Sequence, residues 1–95
     1  MYGRVLMRPE ILAGVLASRY RREILLILSN GHLETPSGIL KKMRDKGYKT
    51  ANKQNVSLNL MWLKNNGLVK LVVDRRKGKL YQITTEGKRY VKEIR

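Results

Sequence analysis

The sequence predicts an α+β domain in which three to five helices precede a C-terminal two-stranded β-hairpin. Three observations predict it. Up to residue 66 the apolar residues recur at helical spacing, with stops at Asn30-Gly31, Gly47 and Gly67. After Gly67 the period changes to two, interrupted by one basic turn. The chain has 95 residues, enough for one domain.

Residues 1–17 form an N-terminal extension. Tyr2, Val5, Leu6 and Met7 with Arg4 and Arg8 make an apolar and basic lead. Pro9 suits the first turn of a helix, and Glu10 complements its positive end. Ile11, Leu12, Val15 and Leu16 give that helix a short apolar face. Ser18 either caps a second helix or lies inside one bent helix. Tyr20, Ile24, Ile27 and Leu28 continue the stripe, thickened by Leu25 and Leu26, until Asn30-Gly31. This apolar surface serves either the core or a second copy of the chain.

His32-Leu33-Glu34 fits a three-residue strand. Thr35-Pro36 is a helix start, with Thr35 as N-cap and proline following. The helix Ser37 to Lys46 is expected to bury Ile39, Leu40 and Met43 and to turn Lys41, Lys42, Arg44 and Lys46 outward, with Gly47 as its stop. Tyr48-Lys49 then leads into Thr50–Val69, the stretch around which the rest is organised. Its first third is polar and holds Thr50, Asn52, Lys53, Gln54, Asn55 and Ser57. An apolar seam at Val56, Leu60 and Leu63 follows at i, i+4, i+7, one face of a helix. Helix, short glycine-containing turn and helix over residues 35–66 is a helix-turn-helix. Over residues 68–84, Val69, Leu71 and Val73 alternate with Lys70 and Val72. Leu80 to Thr84 is the return strand with Tyr81 and Ile83 on one face, and Gly78 lies at the tip between them. Thr85 is expected to cap a last helix, Glu86 to Ile94, within residues 85–95, in which Tyr90, Val91 and Ile94 can pack inward.

Composition narrows the function. Twenty-one Lys and Arg against seven Asp and Glu give a net charge of +14. That density predicts a polyanionic partner, nucleic acid before an anionic membrane surface. The chain has no cysteine, which excludes disulfides, thiolate metal sites and cysteine nucleophiles. No apolar run approaches the ~18 residues of a membrane span, and the N-terminus lacks signal-peptide architecture. His32 is the only histidine and has no ligand set around it. No serine-histidine-aspartate constellation is suggested. The expectation is a non-enzyme without cofactor, metal, membrane or small-molecule partner, located in the cytoplasm at the nucleoid.

A helix-turn-helix followed by a basic hairpin is the winged helix-turn-helix layout. The major groove admits one α-helix, Asn and Gln suit adenine edges, and Ser or Thr can meet any base. The helix tip, Lys49, Thr50, Asn52, Lys53, Gln54, Asn55, Ser57 and Leu58, is therefore the expected reading surface. The hairpin cations Arg75, Arg76, Lys77 and Lys79, and Ser37, Lys41 and Lys42 of the preceding helix, are expected at phosphates. A helical projection sets Gln54, Ser57, Leu58, Met61 and Asn65 opposite the Val56–Leu60–Leu63 seam, with Trp62 at the edge. Leu58 could touch a thymine methyl. Met61 and Trp62 either pack under the N-terminal segment or a partner, or Trp62 completes the core from the side. Lys88, Arg89, Lys92 and Arg95 read as a solvated face more readily than as a second DNA site.

The chain also resembles a known group. Val56-Ser57-Leu58-Asn59-Leu60-Met61-Trp62-Leu63 with Gly67-Leu68-Val69 matches V-S-x-x-L-x-x-L-x-x-x-G-L-V. Ser18-Arg19-Tyr20-Arg21-Arg22-Glu23-Ile24-Leu25 is similar to S-x-x-R-R-x-I-L, and Leu80 to Gly87 is similar to Y-x-L-T-x-x-G. Over residues 18–90 the sequence thus resembles winged-helix transcriptional regulators of the arsenic-repressor, multiple-antibiotic-resistance and phenolic-acid-repressor kinds. Its size and basicity look most like the compact regulators of archaea and their viruses. The resemblance implies a homodimer on a pseudo-palindromic DNA site, with base contacts at Gln54, Asn55, Ser57 and Leu58 and wing contacts from Arg75 to Lys79. The paired cysteines of the arsenic-repressor metal box have no counterpart, and position 58, often basic in such proteins, is leucine. Leu6, Ile11, Leu12, Val15, Leu16, Tyr90 and Ile94 are the expected dimer contacts. The expected function is sequence-specific repression on double-stranded DNA. A non-specific architectural DNA-binding protein, an RNA- or ribosome-associated winged helix and a protein-interaction winged helix are the alternatives.

Overall fold

A computed structural model describes residues 7–95 as five helices and one hairpin. Leu6, expected at a dimer contact, lies outside the described residues. Helix α1 (Pro9–Leu16) starts on Pro9 and buries Ile11 and Val15. Ser18 resolves the choice between two helices and one bent helix. Its backbone is extended and its hydroxyl accepts the Arg21 N–H at 3.2 Å, so a separate helix α2 (Arg19–Ile27) begins there. A single 3-10 turn (Leu28–Asn30) closes α2, and Gly31 follows at φ +84°.

The three-residue strand expected at His32–Glu34 is a single bridge. Only Glu34 pairs, exchanging backbone hydrogen bonds with Tyr81 at 2.9 and 2.8 Å. The His32 N–H instead bonds the Asn30 side chain, which keeps the approach to Glu34 a turn. Thr35 caps helix α3 (Pro36–Asp45) by accepting the Gly38 N–H at 3.0 Å, and Ile39, Leu40 and Met43 are buried. Helix α4 (Lys53–Asn65) follows the turn at Gly47 and buries Val56, Leu60 and Leu63.

Strands β1 (Val69–Asp74) and β2 (Gly78–Ile83) pair antiparallel from Val69↔Ile83 to Asp74↔Gly78. The last helix, α5 (Thr85–Ile94), is capped one residue earlier than the sequence suggests. Thr84, not Thr85, accepts the Gly87 N–H at 3.0 Å, and its hydroxyl donates to the Gly67 carbonyl at 2.6 Å. Two adjacent threonines read alike in sequence. The position next to Gly67 decides which one caps.

One core joins all five helices and both strands. It includes Ile11 and Val15 of α1 and Tyr90 and Ile94 of α5. These four were expected at a dimer contact, but they are buried within the chain itself. Leu12 packs half-buried against the same core, whereas Leu16 remains exposed. An amphipathic stripe has the same spacing whether it meets its own core or another copy, which is why the sequence left the choice open.

Helix α5 approaches the start of the hairpin at Gly87, which is buried. A Cβ there would collide with the Leu68 carbonyl oxygen and lie 2.6 Å from Ile83 Cγ1. Gly87→Ala is therefore expected to destabilise the fold by about 1–3 kcal/mol. Chemical denaturation would show a lower midpoint at an unchanged slope. A variant as stable as the wild type would mean that α5 does not press on Leu68 as described.

Candidate nucleic-acid interface

Burial on one side and a polar clasp on the other set the orientation of α4. Val56, Leu60 and Leu63 are fully buried. On the flank, the Arg21 guanidinium lies 4.2 Å from the centre of the Trp62 ring. It donates through Nη1 to the Gly14 carbonyl at 2.5 Å and through Nε to Asn59 Oδ1 at 3.2 Å. Asn59 in turn donates to the Asn55 carbonyl at 2.9 Å. Trp62 sits against the backbone of α1 at Gly14, where a Cβ would lie 2.8 Å or less from the indole. So Trp62 packs from the side, between α1 and α2. Withdrawal of Arg21 from water lowers its pKa from the ordinary guanidinium value.

With those sides occupied, Lys53, Gln54, Ser57, Leu58, Met61 and Asn65 face solvent. This is the outer face the projection assigned. Leu58 and Met61 are 56% and 55% exposed, an open apolar pair three residues apart. Two asparagines of the expected reading tip have local work. Asn52 is the N-cap and accepts the Asn55 N–H at 2.8 Å. Asn55 Oδ1 accepts the Asn52 N–H at 3.3 Å, which completes a capping box. Thr50 shares a hydrogen bond with the Tyr20 hydroxyl. Lys49 is exposed.

On α3, Ser37 and Lys41 are exposed. Lys42, expected at a phosphate, makes an ion pair with Glu34. Arg44, expected to face outward, reaches the Ala51 carbonyl at 3.0 Å and ties α3 to the turn before α4. Lys46 pairs with Glu23 at 2.8 Å, and the Tyr48 hydroxyl donates to the same carboxylate at 3.0 Å. Loss of water around the Tyr48 phenol, and then its bond to Glu23, raise its pKa.

Arg75, Arg76, Lys77 and Lys79 are exposed at the hairpin tip and have no acidic partner among the described residues. Asp74 shapes that tip. Its Oδ1 accepts the N–H groups of Arg76 at 2.7 Å and Lys77 at 2.8 Å, and Gly78 supplies the positive φ that returns the chain.

Sequence reasoning missed the Arg21, Asn59 and Gly14 clasp and the Glu23 pairings. The signal present was an Arg-rich helix start, but only the fold shows what each arginine meets. Among the described residues no cluster of three or more His, Cys, Asp or Glu could hold a metal ion, and no helix is long and apolar enough to cross a membrane.

The N–H bonds from Lys77 and Arg76 hold the Asp74 carboxyl below its ordinary pKa. A lowered folded-state pKa means that its contribution to the turn is fully present above the ordinary carboxylate value. That contribution is lost as pH falls through the lowered value. The side-chain carboxyl carbon, followed by NMR, should titrate below the ordinary aspartate value, and the Arg76 and Lys77 amides should shift with it. Titration at the ordinary value would contradict the turn.

No family model and no curated protein matches this chain. Solved structures do match. The chain is similar to hsRosR from its RosR-S4 complex, with 22% identity over 81% of this chain and 66% of that one and a TM-score of 0.74. It is similar to TubR bound to 24 bp of tubC, from Bacillus thuringiensis serovar israelensis, with 15% identity over 96% and 95% and a TM-score of 0.74. It is also similar to the transcriptional regulator YodB of B. subtilis, with 18% identity over 94% and 85% and a TM-score of 0.74. The chain spans just under two thirds of hsRosR and less of two other matching chains. At these identities the likeness concerns the backbone: the chain has the winged helix-turn-helix fold, with α3 and α4 as the helix-turn-helix and the β1–β2 hairpin as the wing.

Proposed function

We propose that this chain is a sequence-specific regulator of transcription that binds double-stranded DNA. One observation carries the reading: the outer face of α4 exposes Lys53, Gln54, Ser57 and Leu58 together, while the opposite face is fully buried. An α-helix is about 10–12 Å across with its side chains, and the major groove is about 12 Å wide. Gln54 can meet an adenine edge through both its donor and its acceptor, Ser57 can meet any base, and Leu58 suits a thymine methyl. Asn55 keeps its amide N–H groups for a base, although its oxygen serves the helix cap. Asn52 and Thr50 position the tip more than they read from it.

Charge supports the same surface. Arg75, Arg76, Lys77 and Lys79 on the wing, with Ser37 and Lys41 on α3 and Lys49 before α4, would contact phosphates and fix the register. Lys42 would join them by exchanging Glu34 for a phosphate. The solved TubR structure holds DNA, and YodB is described as a transcriptional regulator. These similarities support the reading.

The protein would act as a homodimer and repress by occupying promoter DNA in the cytoplasm, at the nucleoid. Leu16 and the outer side of Leu12 are available to a second copy. A purely architectural DNA-binding role would need the cations but not the Gln54–Ser57–Leu58 face.

In vitro selection of duplexes from a random pool tests the reading. The expected result is a pseudo-palindrome whose half-sites lie about one helical turn, ~34 Å, apart. Gln54→Ala should relax preference at one or two base pairs by roughly 1–3 kcal/mol. A pool that stays random at matched salt would reject sequence-specific regulation.

A further inference from the structure

The first turn of α2 carries Arg19, Arg21 and Arg22 and no acidic residue. Cations are disfavoured there, because the backbone N–H groups leave the amino end of a helix partly positive. Arg21 is accounted for by its clasp on Trp62, Gly14 and Asn59. Arg19 and Arg22 have no ion-pair partner among the described residues. Both line a cleft of about 290 Å³, with Lys46, Gly47 and Tyr48 as its other walls. The Arg19 guanidinium lies 5.6 Å from the centre of the Tyr48 ring, which leaves its N–H edge open.

The carboxylate that bonds the walls of this cleft is already engaged, and Asp45, beside Lys46, makes no ion pair and is not a wall of the cleft. Glu23 is buried, with one oxygen bonded by Lys46 and the other by the Tyr48 hydroxyl. Of the three cations that line the cleft, only Lys46 is paired with a carboxylate. An anion entering the cleft would meet two free guanidinium groups and the remaining donors of Lys46.

Position identifies the anion. Gly47 and Tyr48 belong to the turn that leads directly into the amino end of α4. The Tyr20 ring packs edge-on against Tyr48 at 5.7 Å, and its hydroxyl bonds Thr50. Lys49, next in sequence to the cleft wall at Tyr48, and Lys53, the first residue of α4, are both exposed. From Lys46 to Val73 the sequence holds no acidic residue.

We infer that Arg19, Arg22 and Lys46 form a phosphate clamp that grips the DNA backbone beside the amino end of α4, built from the start of α2 and the carboxyl end of α3. This rests on the DNA-binding reading and adds a third anchor to it. Arginine suits such a site because its planar fork can donate two parallel bonds to phosphate oxygens.

The test is duplex affinity across a sodium chloride series, measured with the full chain. Arg19→Gln/Arg22→Gln is compared with the wild type and with a wing control, Lys77→Gln/Lys79→Gln. Each lost phosphate contact should flatten the plot of log affinity against log salt by about 0.9, so close to two units for the arginine pair. The selected sequence preference should be unchanged. Arg19→Lys/Arg22→Lys should recover most of the slope.

If the wing control weakens binding while the arginine pair keeps wild-type affinity and slope, the clamp is overturned and the DNA-binding reading stands. A wild-type chain that ignores duplex DNA overturns both. If inorganic phosphate shifts the cleft resonances in NMR and the arginine pair leaves duplex binding unaltered, the cleft serves a free phosphorylated ligand and the clamp is also overturned. Should the double variant fail to fold, ethylation interference on the wild type decides. Ethylated phosphates outside the footprint of the tip and wing should block binding, and their absence would overturn the clamp.

Discussion

The rotation of α4 about its own axis is the constraint on which the rest of the structure depends. Val56, Leu60 and Leu63 bury one face completely. Arg21 stacks on Trp62 and bonds Asn59, which stops the helix from rolling on that seam. The same guanidinium holds the Gly14 carbonyl, so α1 is locked to α4 through α2. With rotation fixed on two sides, one outward face remains, and it carries Lys53, Gln54, Ser57 and Leu58. Exposing a ragged set of polar and apolar side chains to water gains nothing for folding. Holding them in one orientation does serve a partner that must be read.

Charge is distributed by the same logic. Of the seven acidic residues, Glu23, Glu34 and Glu86 pair with cations, and Asp74 shapes the wing turn. Lys42, Lys46 and Arg89 are thereby partly neutralised, whereas Lys53, the wing cations, Arg19 and Arg22 keep their full charge. Among these pairs, Arg89–Glu86 is exposed on both sides and adds little to stability. The larger effect of the pairs is to decide which cations remain open to a polyanion.

Much of the fold was legible because its signals are local. The helical spacing of Ile39, Leu40 and Met43, the Thr35-Pro36 start and the change to period two after Gly67 each depend on near neighbours. What was not legible depends on distance. Arg21 and Asn59 are 38 residues apart, and nothing in either neighbourhood foretells their contact. Asn52 and Asn55 read as base-seeking donors, but the same residue types cap helices, and here they do so. The spacing of Ile11, Val15, Tyr90 and Ile94 suits either the chain's own core or a second copy until α5 and α1 are seen closing on one core. The cleft lined by Arg19, Arg22 and Lys46 forms only where α2 and the α3–α4 turn meet at Tyr48.

The most direct measurement is an NMR titration of the isotope-labelled chain with duplex DNA, reading every backbone amide. The largest changes should fall on Lys53 to Leu58, on Arg75 to Lys79 and on the turn around Tyr48, with little change at Leu60 and Leu63. Changes centred instead on Lys88 and Lys92 of α5, with α4 undisturbed, would contradict a reading face on α4.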